Sequence, residues 1–394
     1  MWRPDFWHCN HKNAYRYGRM KKICYLTTIK DSISVFFVPQ LNYLSENGFE
    51  VTVISDKSLK YSRKLSERVR RIDIDIPRGV SLSGTVRSIM VLKRIFQKER
   101  YDMVQYSTPN ASFCASIAAK LAGIQIRNYH MMGFRYQGFT GIKRLIFRSI
   151  EKLTCAMSTS IECVSKGNRQ FGIDEKIFKA DKAVVVWHGS TGGVDVKKFD
   201  VSKRDMWRSA IREQLGITQE EFVFLFVGRI TGDKGINELL KAFMNLHMDA
   251  KLVMVGNQEG FDTIDTGLWE KAAASDSIMI RPAVSYIEEY YAAADCLVLP
   301  SYREGFGNVL IEAACTGTIC IAADIPGPSE IIDNIGGYKC RVKDAHDLRD
   351  KMRIVVRDRQ KHIPVDIANR AALFYNADTL NKEILKRKQK LLGL

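Results

Sequence analysis

The sequence predicts an α/β protein made of two doubly wound domains that face each other across a cleft. Three observations predict it. In the first half, short β-rich runs alternate with helical patterns, which indicates βαβ units and a parallel sheet. The second half repeats that alternation. Between the halves stands GSTGGVDVKKFD, residues 189–200, whose Gly and Ser content marks an interdomain linker.

Residues 1–19 are polar and aromatic-rich, with no apolar h-region, and the strand pattern KKICYLTT follows at once after Met20. Translation is expected to start at Met20, with 1–19 a disordered or misassigned leader. In the first domain, 20–190, strands are expected at 22–28, 50–55, 71–76, 103–106, 126–130, 160–164 and 183–187. Helices are expected at 36–47, 85–99 and 111–122. In the second unit, 191–371, strands fall at 222–227, 251–255, 277–280, 296–299 and 319–322, with helices at 235–246, 285–293 and 308–316. Asp344 reads as the N-cap of a helix running to about Arg357. The basic tail helix, within 372–394, is expected to cross back onto the first domain. Doubly wound domains bind ligands at the carboxyl ends of their strands.

A chain of 394 residues with 46% hydrophobic and 26% charged side chains can bury a core in each domain. No run approaches the roughly 18 apolar residues of a membrane span. The nine cysteines form no C-x-x-C pair. Cys24, Cys296 and Cys320 lie in apolar strand runs and read as reduced core residues, which fits a reducing cytoplasm. The net charge of +16 is unevenly placed. Residues 1–190 carry 32 Lys and Arg against 15 Asp and Glu, and residues 191–394 carry 28 against 29. An anionic partner for the first half follows from that split: nucleic acid, a membrane surface or a phosphorylated acceptor. Asp73 and Asp75 form a D-x-D, but they alternate with Ile72, Ile74 and Ile76 as an edge or half-buried strand would, so no metal site is read there. No G-x-G-x-x-G follows the first strand, which argues against a nicotinamide enzyme.

Two segments carry chemistry. In PSYREGFGNVLIEAACTG, residues 300–317, a buried strand opens through Gly305 and Gly307 into a helix. The glycines admit a ligand close to the backbone. The amides of Asn308, Val309 and Leu310 then stand at a helix N-terminus, suited to phosphate. Glu304 lies in the loop and Glu312 about one turn into the helix. In FVGRITGDKGINELLKAF, residues 226–243, Arg229 follows the strand-ending Gly228 and Lys234 opens the next helix. Two cations at the top of a parallel sheet fit a diphosphate whose charge grows as it leaves.

Together these segments resemble the retaining GT-B glycosyltransferases of family 4, through EGFGNVLIE and GRITGDKG. The likeness extends to the subgroup that builds capsular and lipid-linked saccharides, through TTIKDSISVFFVPQLNYLSENGFEVTVIS, NYHMMGFRYQGFTGIKRLIFRSIE and GSTGGVDVKKF. The resemblance implies that Arg229 and Lys234 hold the donor phosphates and Glu312 the ribose. It implies that Glu304 and the Gly305–Phe306 backbone hold the sugar, and that His130 lies in the cleft on the acceptor side. Where many members carry a Gly-Gly pair after the first strand, this chain has Lys30-Asp31-Ser32-Ile33-Ser34. The resemblance further implies a nucleotide-sugar donor, UDP-linked in the subgroup although no residue excludes GDP, and a lipid-pyrophosphate-linked saccharide acceptor. No cofactor or metal is expected. The basic first domain is expected to meet the anionic inner face of the cytoplasmic membrane peripherally, through two stretches that mix cations with large apolar residues as an interfacial helix would, 85–100 and 139–152. A nucleotide-sugar epimerase of similar fold is the alternative, and a nucleic-acid-binding protein a more distant one.

Overall fold

A computed structural model describes residues 19–28, 33–56, 64–74, 82–260 and 263–394. The first sheet holds β1 (Lys21–Leu26), β2 (Phe49–Ser55), β3 (Arg70–Asp73), β4 (Met103–Tyr106), β5 (Ile126–Met131), β6 (Ser160–Cys163) and β7 (Ala183–Val185). Their order is β3-β2-β1-β4-β5-β6-β7, and every pair is parallel. The second sheet holds β8 (Phe222–Val227), β9 (Ala250–Val255), β10 (Ile278–Arg281), β11 (Cys296–Leu299), β12 (Ile319–Ala323) and β13 (Tyr338–Cys340). It is also parallel, in the order β10-β9-β8-β11-β12-β13. Helices cover both faces, so strands such as FVFLFV and CLVL are almost continuously apolar and buried. β3 is the exception. It is an edge strand whose Arg70, Arg71 and Asp73 face solvent and only Ile72 is half-buried.

In the first domain the helices are α1 (Val38–Glu46), α2 (Leu82–Glu99), α3 (Pro109–Leu121), α4 (Gly141–Met157) and α5 (Lys166–Asp174). In the second they are α6 (Arg204–Leu215), α7 (Ile236–Met244), α8 (Thr266–Ala273), α9 (Ile287–Ala293), α10 (Asn308–Cys315), α11 (Pro328–Ile335), α12 (Ala345–Arg357) and α13 (Pro364–Tyr375). The chain ends in α14 (Ala377–Leu392). Asp344 does cap α12, its Oδ1 accepting from the amides of His346 (3.0 Å) and Asp347 (2.9 Å). The expectations from sequence omit β13, α5, α6, α8, α11 and α13. The expectations for 1–18, for Lys30, Asp31 and Ser32, and for Asp75 and Ile76 lie outside the described residues. Cys24, Cys296 and Cys320 are buried free thiols.

Strand order reverses between β1 and β4 in one sheet and between β8 and β11 in the other, and ligands bind outside such switch points. At the first, Thr28 N donates to Thr108 Oγ1 at 2.9 Å, and the two hydroxyls lie 2.8 Å apart. At the second stand Gly228-Arg229 after β8 and Pro300–Glu304 after β11.

The chain passes between the domains twice, and the two passes are bonded side by side. Val194 N donates to Tyr375 O (2.7 Å) and Ala377 N to Val194 O (2.9 Å). Gly193, at φ +66°, allows this approach, because a Cβ there would stand 2.7 Å from Tyr375 O. After the second pass α14 lies on the first domain. Its Leu385, Leu391 and Leu392 pack on the cluster of Ile23, Tyr25, Phe37 and Leu41.

Candidate donor and acceptor cleft

The loop after β8 and the loop after β11 bring Lys234 and Glu304 together. Lys234 Nζ lies 2.6 Å from Glu304 Oε1, and Ser301 Oγ donates to the same oxygen at 2.9 Å. Both partners are largely shielded, with side chains 17% and 15% exposed, so the pair is stronger than a surface one. Arg229 is different. Its Nη1 lies 3.1 Å from Glu259 Oε2, but both side chains are about half exposed, and such a pair is worth little. Arg229 can therefore leave Glu259 for a more highly charged anion. Asp233 accepts from Arg303 Nη2 at 2.9 Å and from the Thr231 hydroxyl. Burial raises its pKa, but Thr231, Arg303, Lys234 and Arg229 outweigh burial and hold the carboxyl below its ordinary value.

From the facing domain come Thr108, Pro109, Met132, Gly133, Phe134, Arg135 and Gln137. With Arg229, Asp233, Lys234, Arg303, Glu304 and Gly305 they enclose a cleft of about 330 Å³. The domains touch at its floor. A Cβ on Gly305 would stand 1.9 Å from Met132 O, so only glycine permits the contact. Asn168 Nδ2 donates to Gly305 O. The first amides of α5 close on Glu330, with Lys166 N at 2.9 Å from Oε2 and Gly167 N on Oε1.

The remaining predicted residues divide. Asn308 and Glu312 line a neighbouring cavity of about 230 Å³ with Phe36, Gly192, Gly193 and Asn381. Tyr291 donates its hydroxyl to Glu312 Oε2 at 2.9 Å. Gly307 caps α10 at φ +106° without a side-chain bond. Leu310 N already donates to Gly307 O at 2.9 Å, which leaves the amides of Asn308 and Val309 as the donors a phosphate can reach. The Phe306 ring is buried edge-on against Tyr375 at 5.6 Å, and Leu310 is wholly buried, so these two can offer only backbone.

His130, at the end of β5, is 6% exposed and lines neither cavity. Its Nε2 lies 3.2 Å from Thr191 Oγ1 in the linker, and Phe37 packs edge-on at 5.4 Å. Burial pushes the imidazole down to about 4, against an upward pull from Glu162, and Lys388 lowers it further. Sequence reasoning missed Ser301, Asp233, Arg303 and Arg135. The first three sit inside the two motifs already singled out, and Arg135 in the segment after His130. Among the described residues no group of three His, Cys, Asp or Glu could hold a metal ion.

Two parallel sheets meeting at their switch points across a cationic cleft define a GT-B protein. Comparison with known proteins gives the family. Residues 208–372 match Glycosyl transferases group 1 and residues 22–165 match Glycosyl transferase 4-like. A capsular polysaccharide biosynthesis glycosyltransferase, CapM of Staphylococcus aureus, is 25% identical over 86% of this chain and 88% of its own. An Escherichia coli UDP-Gal:α-D-GlcNAc-diphosphoundecaprenol α-1,3-galactosyltransferase is 25% identical over 78% of this chain and 77% of its own. Among solved structures, Anabaena HepE in complex with UDP and glucose superposes with a TM-score of 0.77 at 16% identity, over 94% of this chain and all of that one. The chain thus belongs to the group 1, family 4 glycosyltransferases, and it is a glycosyltransferase. Neither an epimerase nor a nucleic-acid-binding protein finds support in these matches.

Proposed function

We propose that this enzyme moves a sugar from a UDP-linked donor to a lipid-pyrophosphate-linked saccharide in bacterial surface polysaccharide synthesis, with retention at the anomeric carbon. The carrying observation is the Lys234–Glu304 pair at the β8/β11 switch point, beside the weakly held Arg229. Arg229, Lys234 and the Asn308 and Val309 amides take the diphosphate and stabilise its charge as the sugar leaves. Glu304, fixed by Ser301, receives sugar hydroxyls, Glu312 the ribose, and His130 backs the acceptor side from behind the cleft through its contact with Thr191, next to Gly192 of the neighbouring cavity. The two carboxylates of the cleft, Asp233 and Glu304, are each bonded to a cation and a hydroxyl. Neither stands free as a nucleophile, which favours attack from the face the diphosphate leaves, with a phosphate oxygen taking the acceptor's proton. The relatives' names support the donor and the lipid-linked acceptor. Incubation with a panel of UDP- and GDP-sugars, with and without polyprenyl-pyrophosphate saccharides, tests the reading. Transfer from a UDP-sugar only when the lipid is present is the expected result, and turnover indifferent to any saccharide lipid would refute it. Because these cations carry the leaving charge, EDTA should leave transfer largely intact. Loss with EDTA and recovery with Mn²⁺ would assign that charge to a metal instead.

The first domain presents a surface that suits an anionic membrane. α4 exposes Ile142, Leu145, Ile146 and Leu153 on one face, with Lys143 and Lys152 also exposed. Its Arg144 and Arg148 hold Glu175 at 3.2 and 3.0 Å, so the lysines and the apolar ridge do the docking. No helix among the described residues is long and apolar enough to cross a membrane, and attachment at this face is peripheral.

A further inference from the structure

Behind the cleft, one face of the first sheet is polar and sealed. Gln105 on β4, Asn128 and His130 on β5, and Ser160 and Glu162 on β6 are all buried. Register sets Gln105 beside Asn128, Asn128 beside Ser160, and His130 beside Glu162. Paired residues on neighbouring strands share a face, so these five side chains form one layer.

Helix α14 closes that layer with a cation. Lys388 has no exposed side-chain surface, and its Nζ lies 2.8 and 2.7 Å from the two oxygens of Glu162 and 2.6 Å from Gln105 Oε1. Asn128 Nδ2 donates to the same Gln105 oxygen at 2.8 Å. Beside it, Arg387 donates to Ser160 Oγ at 2.7 Å, with its Nε 3.5 Å from Glu162 Oε1. Glu162 is thereby held by α14 and not by its neighbour in the sheet. His130 instead meets Thr191 through Nε2, and its buried Nδ1 has no hydrogen-bond partner.

A carboxylate close to an imidazole ordinarily holds the ring in its charged form. A buried carboxylate that has two candidate cations leaves uncharged whichever one it does not bind, because burial penalises every unpaired charge. We propose that Lys388 is a positioning residue for His130: by taking both oxygens of Glu162, the last helix keeps the imidazole neutral and bonded to Thr191 of the interdomain linker. The proposal rests on the reading of His130 as a residue of the acceptor side. The charges acting on the ring are Glu162 and Lys388, while Arg387 acts on Glu162, and Glu162 in turn raises the neighbouring Tyr25 phenol. Phe37 and Thr191, which pack directly on the imidazole, bring no charge.

The test titrates His130 in the full chain by NMR of ¹³C-labelled histidine, with H130Q to identify its signal. Sugar transfer is followed over the same pH range. In the unmodified protein the ring should be neutral at about pH 6, above its value of about 4. Lys388→Gln frees Glu162, so the His130 titration should rise by about 1–3 units and carry the acid limb of kcat/KM with it. K388R, which keeps the pair, should keep the wild-type profile. The double variant E162Q/K388Q, which removes both charges, should restore it. A ring that titrates near its ordinary pH in the unmodified protein overturns the proposal, even if K388Q does not fold. An unchanged titration in K388Q overturns it as well. If the titrations move as expected while H130Q transfers sugar normally, the placement of His130 at the acceptor fails and the control by Lys388 stands.

Discussion

Lys234 and Glu304 are 70 residues apart in sequence yet share a 2.6 Å bond. In the sequence each was legible as a site residue, Lys234 from GRITGDKG and Glu304 from EGFGNVLIE, because glycine and charge crowd both strand ends. That they bond to each other was not legible, since nothing in either segment gives the strand order that makes β8 and β11 neighbours. The bond has a kinetic consequence. Lys234, with three N–H donors, serves the diphosphate and Glu304 at once, so its removal harms donor binding and leaves Glu304 without its cation. Lys234→Ala should lower kcat/KM by about 10²–10³, the range for losing one preorganised charge donor. Glu304→Gln should keep the fold and the nucleotide affinity and lose most turnover. Near wild-type transfer by Lys234→Ala, measured at saturating and limiting donor, would show that the phosphate lies elsewhere. Glu162 and Lys388 were illegible for a different reason. SIEC reads as one more apolar strand, and Lys388 as one cation among several in a basic tail.

At the scale of the element, α4 has two opposed faces, and each gives a prediction. Toward the core it buries Glu151, which accepts from the Tyr129 hydroxyl at 2.7 Å. Burial pushes this carboxyl up to about 7, with the Tyr129 bond drawing it partly back. Its folded value is raised above its unfolded one. The stability it contributes is therefore full below about pH 4.5 and lost as pH rises through about 7. Glu151→Gln keeps the acceptor for Tyr129 and cannot ionise. It should gain about 2–3 kcal/mol over wild type at about pH 8 and nothing at about pH 4, read by denaturant unfolding. An equal difference at both pH values would mean that burial does not govern this carboxyl. Toward solvent, Ile142, Leu145 and Ile146 form the apolar ridge. Replacing all three with Ser should abolish sedimentation with anionic liposomes at low salt, whereas Arg144→Ser and Arg148→Ser should weaken it less, because both arginines already hold Glu175. Wild-type binding that is equal for neutral and anionic vesicles would exclude the lysines from the contact. The alternation of cations and apolar residues along α4 was readable in sequence. The pairing with Glu175 was not, since α5 itself, where Glu175 follows the last turn, was absent from the expected elements.

Across the whole molecule, the two domains meet backbone to backbone at Gly305. A methyl group there would overlap Met132 O, so Gly305→Ala should hold the domains slightly apart while each keeps its core. The expected signature is a thermal midpoint within a few degrees of wild type, nucleotide affinity little changed, and kcat reduced at least about tenfold, because a misplacement of about 1 Å costs that much or more. A variant with full kcat would show that transfer occurs without the domain contact. The alternation of strands and helices announced both domains. The short β13, three residues reading YKC, gave no periodicity to detect.

The return of α14 to the first domain also fixes an order of events during synthesis. Domains that are continuous in sequence can fold as soon as they emerge from the ribosome. This one is discontinuous: Glu162 and Gln105 are complete only when Lys388, six residues from the end, has arrived. The second domain, whose strands lie between residues 222 and 340, is finished while the first still has a charged, uncovered face. The half made first is therefore the half completed last, and nascent chains stalled just before α14 should show protease resistance in the second sheet before the first.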